Sequence, residues 1–266
     1  MAGAIWTNLW NLPEGTRLAR VLTTEGLRWA KMTDKAEEAE LLGEDLRPTG
    51  KKAGTAPFAT PIDPVKIWCV GLNYREHARE SNMPIPDEPC VFMKPQTCVV
   101  PHGGVIELPA WAGRIDYEGE LAVVIGRTCR NVSEEEASGY ILGYSCFNDV
   151  SARDLQKKDG QWVRAKGFDT FGPFGPVLLA AREMPASSEV TTLLNGRAVQ
   201  RSAFSDMIFS VRTIVACLSR FATLEPGDVI ATGTPSGVGP LRAGDTVEIS
   251  IDGIGTLKNT ARVDSR

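Results

Sequence analysis

Histidine is scarce in this chain of 266 residues, which contains only His77 and His102. A metal site built from several histidines of one chain is therefore excluded. Any bound ion must rely on oxygen ligands, which favours Mg²⁺ or Mn²⁺, with Ca²⁺ as a further option, over Zn²⁺. The six cysteines are scattered without a Cys-x-x-Cys pair. Their spacing argues against a zinc site and predicts reduced thiols in a cytoplasmic protein.

Long apolar runs and basic stretches are missing as well. No apolar run approaches the roughly 18 residues that a membrane span requires, so we expect no membrane partner. The formal net charge is -4, without any basic stretch, and we therefore expect no nucleic-acid partner. Residues 1–10 lack a basic segment followed by an apolar one, so we expect no secretory signal. What remains is an ordinary globular composition, with 42% apolar and 23% charged residues.

The character of the sequence changes between residues 60 and 65. Residues 1–60 predict a small N-terminal β domain, whose expected elements are a strand pair at 18–22 and 26–29, a charged helical turn at 35–42 and a loop at 47–54. Prolines in residues 60–64 predict a linker, because each proline fixes its own φ and restrains the preceding residue. Residues 65–266 predict a second, larger domain in which glycine and proline interrupt apolar strands.

The larger segment predicts an α+β fold that is mostly β. Ser133 and Glu136 form a capping box that opens a short helix, and residues 205–221 carry an apolar stripe at helical spacing. Glycine and proline predict a turn-rich connector at 172–176. Strands and helices do not alternate regularly, which disfavours a doubly wound parallel sheet. The predicted strands are residues 66–70, 90–94, 120–125, 141–148, 229–232, 246–251 and 255–258.

Two glutamates, Glu118 and Glu120, stand one residue apart at the start of an apolar run. Because side chains alternate across a strand, both carboxylates point to the same side. Burying a bare carboxylate costs several kcal/mol even after relaxation, and a bound cation is the simplest group that offsets this cost. The alternative is that both glutamates lie on the solvated face of an edge strand.

Asp149 follows the predicted strand 141–148, at a common position for a site residue. Residues 151–158 favour a short helix, in which Asp149, Arg153 and Gln156 fall at positions i, i+4 and i+7 of one face. Such a row combines a metal-type ligand, a fixed cation and an amide. The alternative is an N-cap aspartate followed by surface residues.

Residues 71–80 contain a second candidate group. On a helix, His77 and Glu80 are i, i+3 neighbours, and a carboxylate beside an imidazole fixes its tautomer and raises its basicity, as a general base requires. The alternative is a surface ion pair that contributes little. A short helix after Gly71 could also act as a mobile cover over a site.

Lys166 and the loop 232–239 complete the candidates. Lys166 lies between two aromatic residues, where an apolar pocket could hold its cation for an anionic substrate; a surface lysine is the alternative. The loop contains Gly233 and Thr234 and is rich in small residues, whose backbone N–H groups can face an anion. It lacks the Gly-Lys-Ser/Thr ending of a nucleotide-binding P-loop.

Five segments, in this order, together resemble the fumarylacetoacetate hydrolase family. They are GLNYREHARE (71–80), DYEGELAVVIG (116–126), NDVSARDLQ (148–156), KGFDTFGP (166–173) and GDVIATGTPSGVG (227–239). The match runs from about residue 65 to the C-terminus. It implies a mixed β-roll of the fumarylacetoacetase C-terminal type over residues 65–266. Residues 1–60 resemble the small N-terminal β domain of the shorter bacterial members.

The resemblance implies a role for each matching residue. It implies that the metal ligands are Glu118, Glu120 and Asp149, holding Mg²⁺ or Mn²⁺. It implies catalytic roles for His77, Glu80 and Lys166, the first two as a lid dyad that activates water. It implies that the substrate-binding residues are Arg153, Gln156, Gly233 and Thr234.

The resemblance further implies a divalent-metal-dependent enzyme, in a homodimer, that acts on small 2-oxo (β-diketo) carboxylates. We expect hydrolysis of a C–C bond in an acylpyruvate or fumarylpyruvate, through an enolate, because the His–Glu pair is intact. The alternatives are decarboxylation or tautomerisation of oxaloacetate, isomerisation of 2-hydroxyhepta-2,4-diene-1,7-dioate, and a non-enzymatic, metal-stabilised binding protein. The long fumarylacetoacetases carry a further metal aspartate without an obvious equivalent here, so fumarylacetoacetate is not the expected substrate.

Overall fold

A computed structural model describes residues 2–33, 38–54 and 57–264 of the chain. These residues form an α+β fold that is mostly β, which confirms the predicted class. The strands lie in three sheets, of which two are mixed because parallel ladders join the antiparallel ones, and the third, three-stranded sheet is antiparallel. Within the same ranges, no helix is long and apolar enough to cross a membrane.

The described elements have the following bounds. The strands are β1 (Arg17–Thr23), β2 (Gly26–Met32), β3 (Ala39–Leu42), β4 (Pro48–Lys52), β5 (Phe58–Ala59), β6 (Ile67–Gly71), β7 (Cys90–Lys94), β8 (Val99–Val100), β9 (Val105–Leu108), β10 (Ile115–Tyr117), β11 (Gly119–Ile125), β12 (Ile141–Asn148), β13 (Ser151–Ala152), β14 (Gly172–Ala180), β15 (Glu189–Leu194), β16 (Arg197–Ala203), β17 (Val229–Ala231), β18 (Gly239–Pro240), β19 (Thr246–Ile251) and β20 (Gly255–Val263). The α-helices are α1 (Ala2–Trp10), α2 (Arg75–Glu80), α3 (Glu134–Ala137), α4 (Arg153–Asp159), α5 (Val163–Lys166) and α6 (Val211–Phe221). Short 3₁₀ turns lie at Gln96–Cys98, Ala110–Ala112, Ser138–Tyr140 and Phe204–Asp206.

The central sheet carries the strand that bears the two glutamates. Its order is β4-β3-β2-β1-β14-β12-β11-β17-β6-β7, with β5 added beside β1 and β8 beside β14. Strand β11 lies inside the sheet, antiparallel to both β12 and β17. All seven of its residues are buried. A strand covered on both faces forms a continuous apolar run, as residues 121–125 do, so β11 gives the site a rigid support.

Two smaller sheets meet the central sheet at the start of β11. Their orders are β13-β10-β18 and β16-β15-β19-β20-β9. Strand β10 ends at Tyr117 and β11 begins at Gly119, so the chain passes from one sheet into the other at Glu118. The third sheet approaches closely, because a Cβ added to Gly119 would meet Thr192 Oγ1 of β15 at 2.1 Å. All three sheets therefore meet around residues 118–120.

Helix α6 buries part of the predicted apolar stripe in the main core, namely Ile214, Val215 and Leu218. The predicted start at residue 205 is wrong, because α6 begins at Val211. The preceding segment bonds to a distant part of the chain instead, since the Ile208 N–H donates to the Asn73 carbonyl at 2.8 Å. Ser210 then caps the helix by accepting a hydrogen bond from the Thr213 N–H.

The predicted connector at residues 172–176 is also wrong. These residues form the buried first half of β14. The first two pair in parallel with β8. Phe174 lies opposite Phe147 of β12, with the ring centres 6.1 Å apart. Strand pairing and aromatic burial thus outweigh the local turn preference of glycine and proline.

The N-terminal strands extend the central sheet. Strands β1 and β2 confirm the predicted pair at 18–22 and 26–29. The helical turn predicted at 35–42 is wrong where the chain is described, since 39–42 form β3, whereas 34–37 lie outside the described residues. The loop predicted at 47–54 contains β4, a fully exposed edge strand whose polar sequence hides its pairing with β3. Strand β1 pairs with β14, and the predicted domain boundary between 60 and 65 stays a prediction.

Candidate active site

Three carboxylates come together where β10, β11 and β12 meet. Glu118 lies between β10 and β11, Glu120 is the second residue of β11, and Asp149 follows β12. The register of these strands pairs Gly119 with Asn148, and the Asp149 N–H donates to the Glu118 carbonyl at 2.9 Å. One oxygen from each carboxylate lies within 4.8 Å of the others, and all three residues are buried. The alternative of a solvated edge strand is therefore wrong.

Two buried ammonium groups contact these carboxylates. Lys166 Nζ lies 2.6 Å from Glu118 Oε2 and 2.7 Å from Asp149 Oδ2. Lys94 Nζ lies 2.6 Å from the other oxygen of Asp149. Lys166 ends α5, and its ammonium lies 5.0 Å from the centre of the Phe92 ring. The surface alternative for Lys166 is therefore wrong, and both oxygens of Asp149 are held by lysines.

Arg153 ties Glu118 to the first turn of α4. Its Nη2 donates to Glu118 Oε1, its Nε donates to Asp116 Oδ2 at 2.9 Å, and its Nη1 donates to Gln156 Oε1 at 2.9 Å. Asp116 is buried and accepts two further bonds from Arg114. Because Gln156 accepts through its oxygen, its amino group is the end that can donate to a ligand.

The helical row predicted for Asp149, Arg153 and Gln156 is only partly right. Helix α4 begins at Arg153, so Asp149 lies outside it. The residues between them form β13, which pairs with β10 through Ser151 and Asp116. Sheet pairing thus replaces the predicted helical turn. Arg153 and Gln156 do share a face, as their hydrogen bond shows.

Opposite pKa shifts distinguish the two glutamates. Burial acts to raise the pKa of Glu118, but the Arg153 guanidinium and the Lys166 ammonium outweigh it and hold the pKa at about 2. Burial, together with the charges of Asp149 and Glu118, raises the pKa of Glu120 well above its usual value. Glu120 is thus the glutamate whose negative charge the surrounding cations compensate less.

The chemistry of this donor set fits a hard divalent ion. Carboxylate oxygens are the ligands that Mg²⁺, Mn²⁺ and Ca²⁺ prefer. The three groups are close enough to share one ion. Burial, together with the charges of Asp149 and Glu118, raises the pKa of Glu120, and a bound divalent ion would favour the ionised carboxylate instead. Glu118, Glu120 and Asp149 are therefore the residues that would hold the metal.

The loop 232–239 packs against the second glutamate. The Gly233 N–H donates to Glu120 Oε2 at 2.8 Å. A Cβ at Gly233 would meet the Asn73 Cβ at 2.6 Å, and its φ of 97° also favours glycine. The Thr234 hydroxyl donates to the Gly119 carbonyl at 3.0 Å. One N–H of the loop thus faces an anion as expected, and that anion is a carboxylate of the protein itself.

Helix α2 presents the histidine–glutamate pair. His77 Nδ1 lies 3.2 Å from Glu80 Oε2, as the i, i+3 spacing predicts. The Gly237 N–H donates to the Glu80 carboxylate, at 3.1 Å from each oxygen. This contact joins α2 to the loop 232–239. Glu80 is therefore more than a member of a surface ion pair, since it also anchors the helix over the site.

One open cavity of about 690 Å³ connects these groups. The predicted site residues that line it are His77, Glu80, Glu118, Glu120, Arg153, Gln156, Lys166 and Thr234. Asp149 and Gly233 adjoin the cavity through the contacts described above. The structure thus brings a candidate base and a carboxylate cluster to one cavity, although they lie about 40 residues apart or more in sequence.

Comparison with known proteins identifies the class. The family model described as the fumarylacetoacetate (FAA) hydrolase C-terminal domain matches residues 66–262. The chain therefore belongs to this family, and it is a family enzyme that takes a small-molecule substrate. A buried Glu/Glu/Asp group suited to a divalent ion accompanies the match.

Relatives with names include two isomerases, a tautomerase and a fumarylacetoacetate hydrolase from Exiguobacterium antarcticum, which is 33% identical over 94% of this chain and 100% of its own, with a TM-score of 0.85. The crystal structure of 2-hydroxyhepta-2,4-diene-1,7-dioate isomerase from Mycobacterium marinum is 42% identical, covers 94% of this chain and 100% of its own, and has a TM-score of 0.86. That of 5-carboxymethyl-2-hydroxymuconate delta-isomerase from Mycobacterium smegmatis is 40% identical over 94% and 100%, with a TM-score of 0.85. Oxaloacetate tautomerase YisK of Bacillus subtilis is 45% identical over 77% of this chain and 71% of its own.

Three polar residues of the site escaped prediction from sequence. Lys94 pairs with Asp149, Asp116 holds Arg153, and Gln200 bonds to the loop 232–239. Lys94 ends an apolar strand just before a proline, which is the signal that could have marked it as unusual. Asp116 stands in a segment that alternates polar and apolar residues, and Gln200 precedes two further polar residues, so that in both places a buried polar side chain looks like an exposed one.

Proposed function

We propose that the protein transfers a proton to or from an enolisable 2-oxo carboxylate held in the cavity beside Glu118, Glu120 and Asp149. The observation that carries this proposal is the placement of the His77–Glu80 pair and the carboxylate cluster on one cavity. A divalent ion held by the three carboxylates would polarise the 2-oxo group of the substrate. Side chains of the protein would transfer the proton and donate hydrogen bonds to the developing negative charge.

His77 is the proposed base. The Glu80 carboxylate accepts the hydrogen bond from Nδ1, which leaves the lone pair on Nε2. Glu80 is itself held by the Gly237 N–H, so the group that orients the imidazole is fixed in turn. General base catalysis of this kind contributes about 10²- to 10⁴-fold to the rate.

Lys166 and Gln156 are the proposed donors to developing negative charge. Lys166 uses two of its N–H donors on Glu118 and Asp149 and retains a third for an oxyanion. The Gln156 amino group is turned away from Arg153 by the bond that its oxygen accepts. Arg153 uses three of its five N–H donors on Asp116, Glu118 and Gln156, so it holds these groups in place and retains two donors for the substrate.

The first candidate reaction is hydrolysis of an acylpyruvate or fumarylpyruvate. His77 takes a proton from water, and the resulting hydroxide attacks the distal carbonyl. The bond between that carbon and the neighbouring CH₂ breaks, its electron pair passes to the pyruvate enolate, and protonation then gives pyruvate. The side chain of His77 is 13% exposed and that of Glu80 is 42% exposed, so solvent water reaches the pair.

The second candidate reaction is tautomerisation or isomerisation, with oxaloacetate or a 2-hydroxy-dienedioate as substrate. It needs the same base but no attacking water, because a proton moves only between oxygen and carbon. The similarity to the two isomerases and to the tautomerase favours it. Decarboxylation of oxaloacetate would instead break the bond to the distal carboxylate, release CO₂ and leave the pyruvate enolate of the first candidate reaction.

One experiment separates these outcomes. The protein is loaded with Mg²⁺ or Mn²⁺ and offered acetylpyruvate, fumarylpyruvate, oxaloacetate and 2-hydroxyhepta-2,4-diene-1,7-dioate, while pyruvate, CO₂ and enol absorbance are followed. Pyruvate without CO₂ from the first two supports hydrolysis, and loss of enol absorbance with neither product supports tautomerisation. CO₂ from oxaloacetate supports decarboxylation. No change in any substrate contradicts the proposal and favours a metal-stabilised binding protein.

Two further expectations accompany the proposed function. We propose that the protein is a homodimer in the cytoplasm, as the family resemblance and the scattered cysteines imply. Light scattering on the purified protein tests the first part: a mass near 28.8 kDa would contradict a dimer.

A further inference from the structure

Gln200 of β16 is 2% exposed and bonds through both ends of its amide to the site. Its Oε1 accepts from the Gly119 N–H at 3.0 Å. Its Nε2 donates to Thr234 Oγ1 at 2.9 Å and to the Pro235 carbonyl at 2.9 Å. The partners determine the orientation of the amide, because an N–H requires an acceptor and a carbonyl requires a donor.

Thr234 completes a closed ring of hydrogen bonds around Gly119. Its hydroxyl accepts from Gln200 and donates to the Gly119 carbonyl at 3.0 Å. Both backbone groups of Gly119 are thus held by one amide and one hydroxyl. On its remaining side Gly119 meets Thr192, which leaves no space for a Cβ. The residue between Glu118 and Glu120 is therefore fixed from three directions.

The Gln200 side chain also supports the loop 232–239, which binds the Glu80 carboxylate. A Cβ at Gly237 would meet the Val199 carbonyl at 2.0 Å and Gln200 Cγ at 3.4 Å, so the loop lies directly on β16. The N–H of Gly237 is the donor to the Glu80 carboxylate. Gln200 thus lies between the strand that carries the glutamates and the loop that anchors the base.

We propose that Gln200 is a positioning residue that sets the geometry of Glu118 and Glu120 relative to Thr234 and to the His77–Glu80 pair. It contacts none of the three carboxylates and does not itself line the cavity, and it acts through Gly119, Thr234 and the loop. Its kinetic consequences rest on the proposed function, whereas its effect on metal binding does not. Outer residues that orient metal ligands commonly change affinity by about 10- to 100-fold.

The test compares Gln200→Met, Thr234→Val, their double variant and a matched control, using metal-free protein. Met has a similar length but neither donor nor acceptor, and Val removes the hydroxyl that closes the ring. The control is Asn259→Leu, because Asn259 is another buried amide of the same sheet that bonds two carbonyls, those of Pro101 and Gly104, away from the cavity. Mn²⁺ affinity is measured by titration calorimetry, thermal unfolding by circular dichroism, and kcat and KM where a substrate is turned over.

We expect Gln200→Met and Thr234→Val each to weaken Mn²⁺ binding by about tenfold, and the double variant to bind no more weakly than the weaker single one, because both break one ring. Thr234→Ser should restore wild-type affinity. Asn259→Leu should unfold at a lower temperature while binding Mn²⁺ normally. Wild-type Mn²⁺ affinity in both Gln200→Met and Thr234→Val would overturn the proposal. If Gln200→Met does not fold, Thr234→Val and Thr234→Ser decide; inactivity of the wild type toward every substrate would instead contradict the proposed function.

Discussion

Lys94 and Asp149 form a fully buried ion pair, with Nζ and Oδ1 at 2.6 Å and neither side chain more than 1% exposed. The ammonium also donates to the Val150 carbonyl at 3.2 Å, which offsets part of its desolvation. Lys166 occupies the other oxygen of Asp149 at 2.7 Å. Lys94 therefore pairs with Asp149 on the side away from the cavity, and Lys166 pairs with it on the cavity side.

Replacing Lys94 with methionine should destabilise the protein strongly. The change leaves the buried Asp149 with one cation fewer, and breaking a buried pair in this way costs about 3 to 5 kcal/mol. Urea unfolding of the metal-free protein measures the loss. Lys258→Met is the matched control, because Lys258 is 52% exposed and pairs with Glu248 at 3.1 Å, so its loss should cost less than about 1 kcal/mol. Equal effects of the two variants would contradict the assigned burial.

The two glutamates should respond oppositely to loss of charge in the metal-free protein. Glu118→Gln leaves Arg153 and Lys166 uncompensated and should cost about 3 kcal/mol. Glu120→Gln replaces a carboxyl whose pKa burial raises, so it should be neutral or stabilising. Urea unfolding in the presence of a chelator measures both.

The pH dependence of the free energy of unfolding tests the raised pKa of Glu120 a second time. An unfolded glutamate ionises near pH 4.5, whereas the raised pKa keeps folded Glu120 protonated to higher pH. Above pH 4.5 the unfolded state therefore loses its proton first, and the contribution of Glu120 to the free energy of unfolding falls as pH rises. Glu120→Gln removes this fall. Between pH 4.5 and neutrality, the free energy of unfolding of the variant should therefore increase relative to that of the wild type. A constant difference across that window would contradict the raised pKa.

Replacing His77 with alanine should remove activity without removing the metal. The loss of a general base should lower kcat by about 10²- to 10⁴-fold, while Mn²⁺ affinity stays within twofold because His77 contacts none of the three carboxylates in the part of the chain that the structure describes. Glu76→Ala is the control on the same helix, since Glu76 is 59% exposed and pairs with Arg79. Unchanged turnover in His77→Ala would remove the assigned role.

Gly237→Ala should disturb the anchor of Glu80. The added Cβ would meet the Val199 carbonyl at 2.0 Å at a φ of 93°, so the loop must shift and its N–H must leave the Glu80 carboxylate. We expect a lower kcat and a stability loss above about 1 kcal/mol. Gly244→Ala is matched for backbone conformation, with a φ of 91° and open space around it. Gly244→Ala should lose stability without a loss of kcat. An equal loss of kcat in both variants would contradict the role of Gly237 in anchoring Glu80.

Local sequence patterns correctly predicted the features that depend on residues close by in the sequence. The capping box of Ser133 and Glu136 is confirmed, and so is the expectation that the Glu118 and Glu120 carboxylates point to one place. These features depend on neighbours a few residues away, which the sequence displays directly. The five motifs of the family also predicted which distant residues share one cavity.

The failures concern residues whose environment is made by distant segments. Lys94 is buried because β7 pairs with β6, where it lies opposite Ile67. Gln200 is buried because the third sheet packs on Gly119. Local sequence does not show what these residues contact, since the decisive contacts span roughly 80 residues for Gln200 and more than 50 for Lys94.

Titration of the metal-free protein with Mn²⁺ tests the central claim most directly, because it asks whether three carboxylates form one metal site. We expect one Mn²⁺ per chain in the wild type, with affinity lowered at least about 100-fold in Glu118→Ala, Glu120→Ala and Asp149→Ala. Circular dichroism confirms that each variant is folded before titration. Wild-type affinity in folded Glu118→Ala, or no binding by the wild type, would contradict the account.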